Sequence, residues 1–123
     1  MFKISFGQLR NPSAHHVLNK MVSSTGYESS QAAYRVAKLV KLFSDEARTC
    51  DQVFVRLLKR EGIEIKPDGT YEVSDDKIDQ WKVVHEDFCK TQTDLPTTKL
   101  APSDLPSGLA PSEILAIEEM IDQ

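Results

Sequence analysis

The sequence lacks the segments that mark membrane-spanning, secreted and disulfide-bonded proteins. No apolar run approaches the roughly 20 residues that a helix needs to cross a bilayer, and the opening MFKISFGQLR lacks the apolar centre of a secretory signal. The chain has only 2 cysteines, Cys50 and Cys89, in a composition that is not otherwise typical of a disulfide scaffold. We therefore expect an intracellular protein with free thiols.

Signatures of catalysis and of cofactor binding are also scarce. The 5 glycines form no phosphate-binding loop, and no serine lies in a nucleophile-elbow motif. His85 and Cys89 share a helix face and could hold zinc together with Cys50, but no fourth ligand is evident and Cys50 lies in an apolar stripe. The adjacent His15 and His16 point in different directions on a helix. The sequence predicts no enzyme, no cofactor and no metal.

Charge is distributed unevenly along the 123 residues. Residues 1–60 hold 10 lysines and arginines against 4 acidic residues, whereas residues 61–123 hold 5 against 15. We expect the two halves to attract each other within one fold. The alternative is a nucleic-acid surface at Arg35, Lys38 and Lys41, but acidic residues interrupt that basic run.

The first 60 residues predict a strand and two helices. Phe2, Ile4 and Phe6 alternate with polar residues, as in a half-buried strand that Gly7 would end. A short helix starts at Asn11-Pro12 and runs to about 22. A long helix runs from Ser29 to about 60, because this segment contains no glycine or proline. Its apolar positions are spaced alternately by three and four residues: Ala33, Val36, Val40, Phe43, Ala47, Cys50, Phe54 and Leu57.

That heptad spacing is typical of coiled-coil packing and requires a second helix to cover the stripe. The segment from Ser74 to about 92 supplies one, with Ile78, Trp81, Val84, His85 and Phe88 on one face. Between the two helices, residues 63–66 and 70–73 alternate around Pro67-Asp68-Gly69 and predict a small β-ribbon. The sequence therefore predicts an antiparallel helical hairpin with the ribbon at its tip.

The last 30 residues predict a separate unit, so we divide the chain into a helical-hairpin domain at 1–93 and a second part at 94–123. Four prolines between 94 and 111 favour an extended strap, which either lies along the body or is flexible. A short amphipathic helix follows, beginning at Pro111. Its apolar face is the candidate protein-binding site and comprises Ile114, Leu115, Ile117, Met120 and Ile121. The alternative is that this face closes the protein's own core.

The start FKISFGQLRN, the long heptad helix and the end LAPSEILAIEEMI resemble a loose group of small uncharacterised proteins of tailed bacteriophages. In that group a serine cap precedes the proline of the last helix, whereas this chain has Ala110 there and keeps the acidic Glu113. The resemblance implies a viral origin and no known cofactor, and it supplies no catalytic residues.

The overall prediction is a mainly α, α+β protein: an N-terminal strand, a helical hairpin with a β-ribbon, a proline-rich strap and a C-terminal amphipathic helix. We expect a non-enzymatic phage accessory or assembly protein that binds another viral or host protein, in the host cytoplasm or on the virion. Self-association remains open, and neither a membrane nor a nucleic acid is the expected partner. The alternatives are a virus-encoded inhibitor of a host enzyme, acting as an acidic mimic, and a nucleic-acid-binding protein.

Overall fold

The computed structural model describes residues 1–122, which are mainly helical and include a two-stranded antiparallel sheet. The strands are β1 (Phe2–Ser5) and β2 (Gln92–Leu95), and the helices are α1 (Phe6–Leu9), α2 (Pro12–Ser23), α3 (Ser30–Arg60), α4 (Ile78–Lys90) and α5 (Pro111–Ala116). Two 3-10 turns, at Pro102–Asp104 and Glu118–Met120, complete the secondary structure of these residues. The predicted α+β class is confirmed.

The helices α2 and α3 form where the sequence predicts them, because both have the predicted caps. Asn11 accepts a hydrogen bond from the backbone N–H of Ser13 at 2.9 Å, and a proline occupies the first helical position. Ser29 accepts one from the N–H of Ala32 at 3.1 Å. The long helix α3 ends where Gly62 takes a φ of +72°, a conformation that residues with a Cβ rarely adopt. Both helix predictions are confirmed.

The N-terminal strand forms as predicted, but its partner was not foreseen. The strand β1 pairs with β2, with Phe2 opposite Leu95 and Ser5 opposite Gln92. From the sequence, the residues of β2 were predicted to form the end of a helix and the start of the strap. The predicted domain boundary between residues 93 and 94 therefore falls inside this strand. The strand also ends at Ser5 rather than at Gly7, because the Ser5 hydroxyl accepts a hydrogen bond from Gln8 and caps α1.

The predicted β-ribbon is reduced to one bridge, between Ile65 and Tyr71. The turn itself forms, with Gly69 at a φ of +86°. The arms separate beyond the bridge, and Ile63 is buried in the core. The helix α4 likewise starts at Ile78 rather than at Ser74, because residues 75–77 form a turn instead of a first helical turn.

The predicted lengthwise contact between α3 and α4 is not what the structure shows. Side chains of α4 meet α3 near its C-terminal end, where the rings of Trp81 and Phe88 lie 5.9 and 5.2 Å from that of Phe54. Elsewhere along α3, the contacts come from α1, α2, β2 and the first 3-10 turn. The short helix α1 contacts both α3 and α4. The apolar stripe of α3 is therefore covered by several elements, each of which contacts part of its length.

The strap lies along the body of the protein. Leu100 and Pro106 are buried, and the N–H of Ser107 donates a hydrogen bond to the carbonyl oxygen of Gly26 at 3.0 Å. After it, the predicted single C-terminal helix is divided into α5 and the second 3-10 turn. The chain leaves helical geometry at Ile117, which has a φ of −121°, and then pairs Ile121 with Leu100 in a parallel bridge.

Two five-residue segments of the strap and C-terminal region have nearly the same sequence and the same cap. Each reads Leu-Ala-Pro-Ser followed by an acidic residue, at 100–104 and 109–113. In each, the acidic side chain accepts a hydrogen bond at 2.9 Å from the backbone N–H of the alanine three residues earlier. Each acid also binds a cation from a different helix: Arg35 pairs with Asp104 at 3.0 Å, and Lys20 with Glu113 at 2.8 Å. These pairs attach the second half of the chain to the first.

Candidate protein-binding surfaces

Most side chains of the face that was predicted to bind a partner are packed inside the protein. The side chains of Ile117, Met120 and Ile121 are buried in the core, and Ile114 is half-buried against it. Only Leu115, with 64% of its surface accessible, points mainly to solvent. In this fold the three buried side chains cannot contact another protein, which corresponds to the alternative that the face closes the chain's own core.

The cysteines and histidines do not come together as a metal site. Within residues 1–122, no three His, Cys, Asp or Glu side chains are close enough to hold an ion. Cys89 lies 3.8 Å from the Nε2 of His85, whereas Cys50 is buried in the core. Burial, reinforced by the neighbouring Asp51 carboxylate, raises the pKa of the Cys50 thiol to about 11. Cys50 is therefore protonated at neutral pH and is a weak nucleophile.

A groove of about 370 Å³ lies between α3 and α4. More than half of its lining residues are apolar and come from α1, α3 and α4: Phe6, Val53, Leu57, Val84 and Phe88. Val53 is 37% exposed, and Leu57 and Val84 are half-buried, so these side chains have contact surface left to cover. The volume falls in the range of about 300–1,000 Å³ that ligand pockets occupy. The groove is thus a partly open apolar surface that includes Leu57, the last position of the heptad stripe on α3.

The helix α1 packs against both α3 and α4 beside the groove. Its Phe6 ring packs on the ring of Phe88, with centroids 5.1 Å apart. At Gly7 the backbone of α1 comes so close to α4 that an added Cβ would lie 3.2 Å from the carbonyl oxygen of Cys89. With α1 packed against both helices, α4 does not close over Val53 and Leu57.

The walls of the groove carry charge of opposite sign. Arg56 and Arg60 stand one turn apart on α3, and Asp87 and Thr91 stand on the α4 side. Arg60 pairs with its neighbour Glu61 at 3.1 Å. Arg56 forms no ion pair with any residue that the structure describes. The Arg56 guanidinium is therefore available to pair with a carboxylate of a bound segment.

A second surface, which we name the basic face, lies on the N-terminal half of α3. It borders a concavity of about 450 Å³ and comprises Tyr34, Ala37, Lys38, Lys41 and Leu42. Tyr34 is 68% exposed, although most tyrosine rings are at least half covered in folded proteins. The lysines were predicted from the sequence as a basic surface, whereas the exposed Tyr34 beside them was not. The signal was its spacing, since Tyr34, Lys38 and Lys41 recur at helical intervals.

No family model, no curated protein and no solved structure matches this chain. Among the helices of residues 1–122, none combines the length and the apolar composition of a membrane span.

Proposed function

We propose that this chain is a non-enzymatic accessory or assembly protein of a tailed bacteriophage, which binds an amphipathic helix of a viral or host protein in the α3–α4 groove. It acts in the host cytoplasm or on the virion. The observation that carries the binding role is the uncovered apolar floor at Val53, Leu57 and Val84. The resemblance of the two ends of the chain to small phage proteins supports the viral origin.

The shape of the groove favours a helical occupant. Both walls are helices, whose backbone N–H and C=O groups are already paired within α3 and α4. An extended peptide would find no backbone partners there, and its own polar groups would lose water without compensation. A helix satisfies its backbone internally and presents apolar side chains at three- and four-residue intervals to the floor.

The charges on the walls favour acidic residues along one edge of that helix. A carboxylate facing Arg56 would form bidentate hydrogen bonds, which are stronger than bonds between neutral groups. A basic residue on the opposite edge would face Asp87. Such complementary charges set the direction in which the helix lies and speed its association.

Site-specific photo-crosslinking tests the location of the partner. Benzoylphenylalanine placed at Val53, in the floor, is expected to crosslink a protein in phage-infected cells, and mass spectrometry is expected to identify an amphipathic helical peptide with acidic residues at the crosslinked site. Val55 is the matched control, because it lies on the same helix with nearly equal exposure, 38%. Side chains two residues apart on a helix point in directions that differ by about 200°, so Val55 faces away from the groove.

Crosslinking from position 53 but not from position 55 supports the groove as the binding site. Equal crosslinking from both positions, or crosslinking from position 55 alone, would contradict it. Crosslinking from position 53 to an extended, non-helical segment would contradict the proposed mode while leaving a binding role in place.

A further inference from the structure

The strand β2 leaves one edge of the two-stranded sheet open. Its register with β1 continues into the bond from the N–H of Phe6 to the carbonyl oxygen of Thr91 at 2.8 Å, so the backbone groups of Thr93 point towards β1. Those of Gln92 and Asp94 therefore point away from β1. Within residues 1–122 the backbone groups of these two residues have no hydrogen-bond partner, and both residues are exposed. Such an edge is a template for a further strand.

The opposite edge of the sheet is bound to the C-terminal segment. Ser5 of β1 donates its backbone N–H to the carboxylate of Glu119 at 3.3 Å and its hydroxyl to the same carboxylate at 3.0 Å. Glu119 is held in the second 3-10 turn, next to the buried Met120. A strand that paired with β1 would break these bonds, whereas a strand that paired with β2 would break none.

The sequence of β2 is complementary to itself in the antiparallel direction. If Thr93 lies on a two-fold axis, Gln92 of each copy stands opposite Asp94 of the other, and each such pair exchanges two backbone hydrogen bonds. A shift of the strands in either direction leaves one such pair instead of two, because β2 ends at Leu95 and residue 90 belongs to α4. The edge therefore fits a second copy of itself in one alignment.

The side chains on both faces of the paired strands are complementary in that alignment. On the solvent face, the Gln92 amide would donate to the Asp94 carboxylate of the second copy, which Lys3 of its own chain approaches at 3.7 Å. On the other face, the half-buried Thr93 would lie opposite its counterpart, and such threonine pairs stabilise antiparallel sheets. No like charges stand directly opposite each other.

We propose that two copies of this chain pair their β2 edges antiparallel about a two-fold axis at Thr93, which forms one four-stranded sheet. Because both copies use the same surface, the contact closes on itself and gives a dimer rather than a chain of copies. The small area of the contact makes the dimer weak. The pairing uses no side chain in the floor of the α3–α4 groove, so it stands or falls independently of the proposed function.

Disulfide trapping at the two-fold axis tests the alignment. Thr93→Cys is expected to form a disulfide between position 93 of two copies under copper phenanthroline in air, where dioxygen oxidises the two thiols. Directly opposed residues of this kind of antiparallel pair have Cα atoms about 4.5 Å apart, a distance that a disulfide spans. Mass spectrometry of the linked peptides separates this product from disulfides of Cys50 or Cys89.

The matched control for trapping is Thr97→Cys. Thr97 is also a half-buried threonine, but it lies beyond the end of β2, so its two copies do not meet in the proposed dimer. The disulfide at position 97 is expected to form at least about tenfold more slowly than the one at position 93.

Proline at position 92 tests the backbone pairing. Gln92→Pro removes an outward N–H and no hydrogen bond of the folded chain, and proline is accepted at the first residue of an edge strand. Thr91 before it is already extended, with a ψ of 138°. Combined with Thr93→Cys, Gln92→Pro is expected to slow trapping at least about tenfold, whereas Gln92→Ala, which keeps the N–H, is expected to slow it less than about threefold.

Circular dichroism establishes that each variant is folded. Trapping at position 93 that is no faster than at position 97 overturns the proposal, whether or not the proline variant folds. Equal trapping rates for folded Gln92→Pro and for Gln92→Ala overturn it too. A disulfide from position 93 to another protein of infected cells, without the product that joins two copies, would assign the edge to a foreign strand and overturn the pairing of copies.

Discussion

Replacing Phe54 with alanine is expected to lower the free energy of unfolding by about 3–5 kcal/mol, the range for truncating a buried phenylalanine. Its ring is buried and is the point at which the aromatic side chains of α4 meet α3. The guanidinium of Arg10 lies 3.6 Å from the centroid of the same ring, so the cavity would also remove a cation–π contact. Urea denaturation followed by circular dichroism measures the change.

The control for Phe54 is its neighbour Val55, whose side chain is smaller and 38% exposed. Val55→Ala is expected to lower the free energy of unfolding by about 1 kcal/mol or less, because it removes only two methyl groups from a side chain that is 38% exposed. Phe54→Leu keeps most of the apolar volume and is expected to cost less than Phe54→Ala. If Phe54→Ala lowered the free energy of unfolding no more than Val55→Ala does, the inference that this ring attaches α4 to α3 would be wrong.

Replacing Ile117 with alanine is expected to lower the free energy of unfolding by about 2–5 kcal/mol, as for other buried aliphatic side chains. The side chain is fully buried in the core although it lies only a few residues from the end of the chain. Leu115, two residues earlier in the same predicted face, points to solvent, and Leu115→Ala is expected to change stability by no more than about 0.5 kcal/mol.

Comparing the stability of Ile117→Ala with that of Leu115→Ala tests whether the C-terminal segment packs on its own core or is free to bind a partner. The predicted order is a large loss for Ile117→Ala and a negligible one for Leu115→Ala, measured by thermal and urea unfolding of the isolated protein. Equal, small effects would mean that the C-terminal segment does not pack on its own chain. In that case the face from Ile114 to Ile121 would again be the leading binding site.

Most helices could be predicted because their signals are local. The bounds of α3 follow from a serine cap at Ser29, the absence of glycine and proline, and Gly62 after its end. The cap at Asn11-Pro12 fixes the start of α2 in the same way. These features depend on a few adjacent residues, so no knowledge of the tertiary structure is needed to read them.

The elements that were missed depend on contacts between distant residues. The strand β2, with the sequence QTDL, has no apolar alternation, and it forms because β1 supplies a partner about 90 residues earlier. The helix α1 has only four residues, too few for a periodic signal, yet it separates α4 from α3. The seam on α3 was visible in the sequence, but which elements cover it was not.

The repeated Leu-Ala-Pro-Ser-acid segments were a signal that the sequence did contain. The proline, with an acid two residues later, predicts a capped turn at both 100–104 and 109–113. Their cations, Arg35 and Lys20, could not be predicted, because they come from helices far away in the chain. The α3–α4 groove was likewise unpredictable, since it depends on the spacing of two helices.

The affinity of the partner segment for a groove variant tests the proposed function most directly. The peptide identified by crosslinking is titrated against Val53→Glu and Val55→Glu, which place the same charge at similarly exposed sites on opposite sides of α3. Val53→Glu is predicted to raise the dissociation constant at least about tenfold, because it puts a carboxylate into the apolar floor, and Val55→Glu to leave it within about twofold. Equal affinities of the two variants for the peptide would contradict binding in the groove.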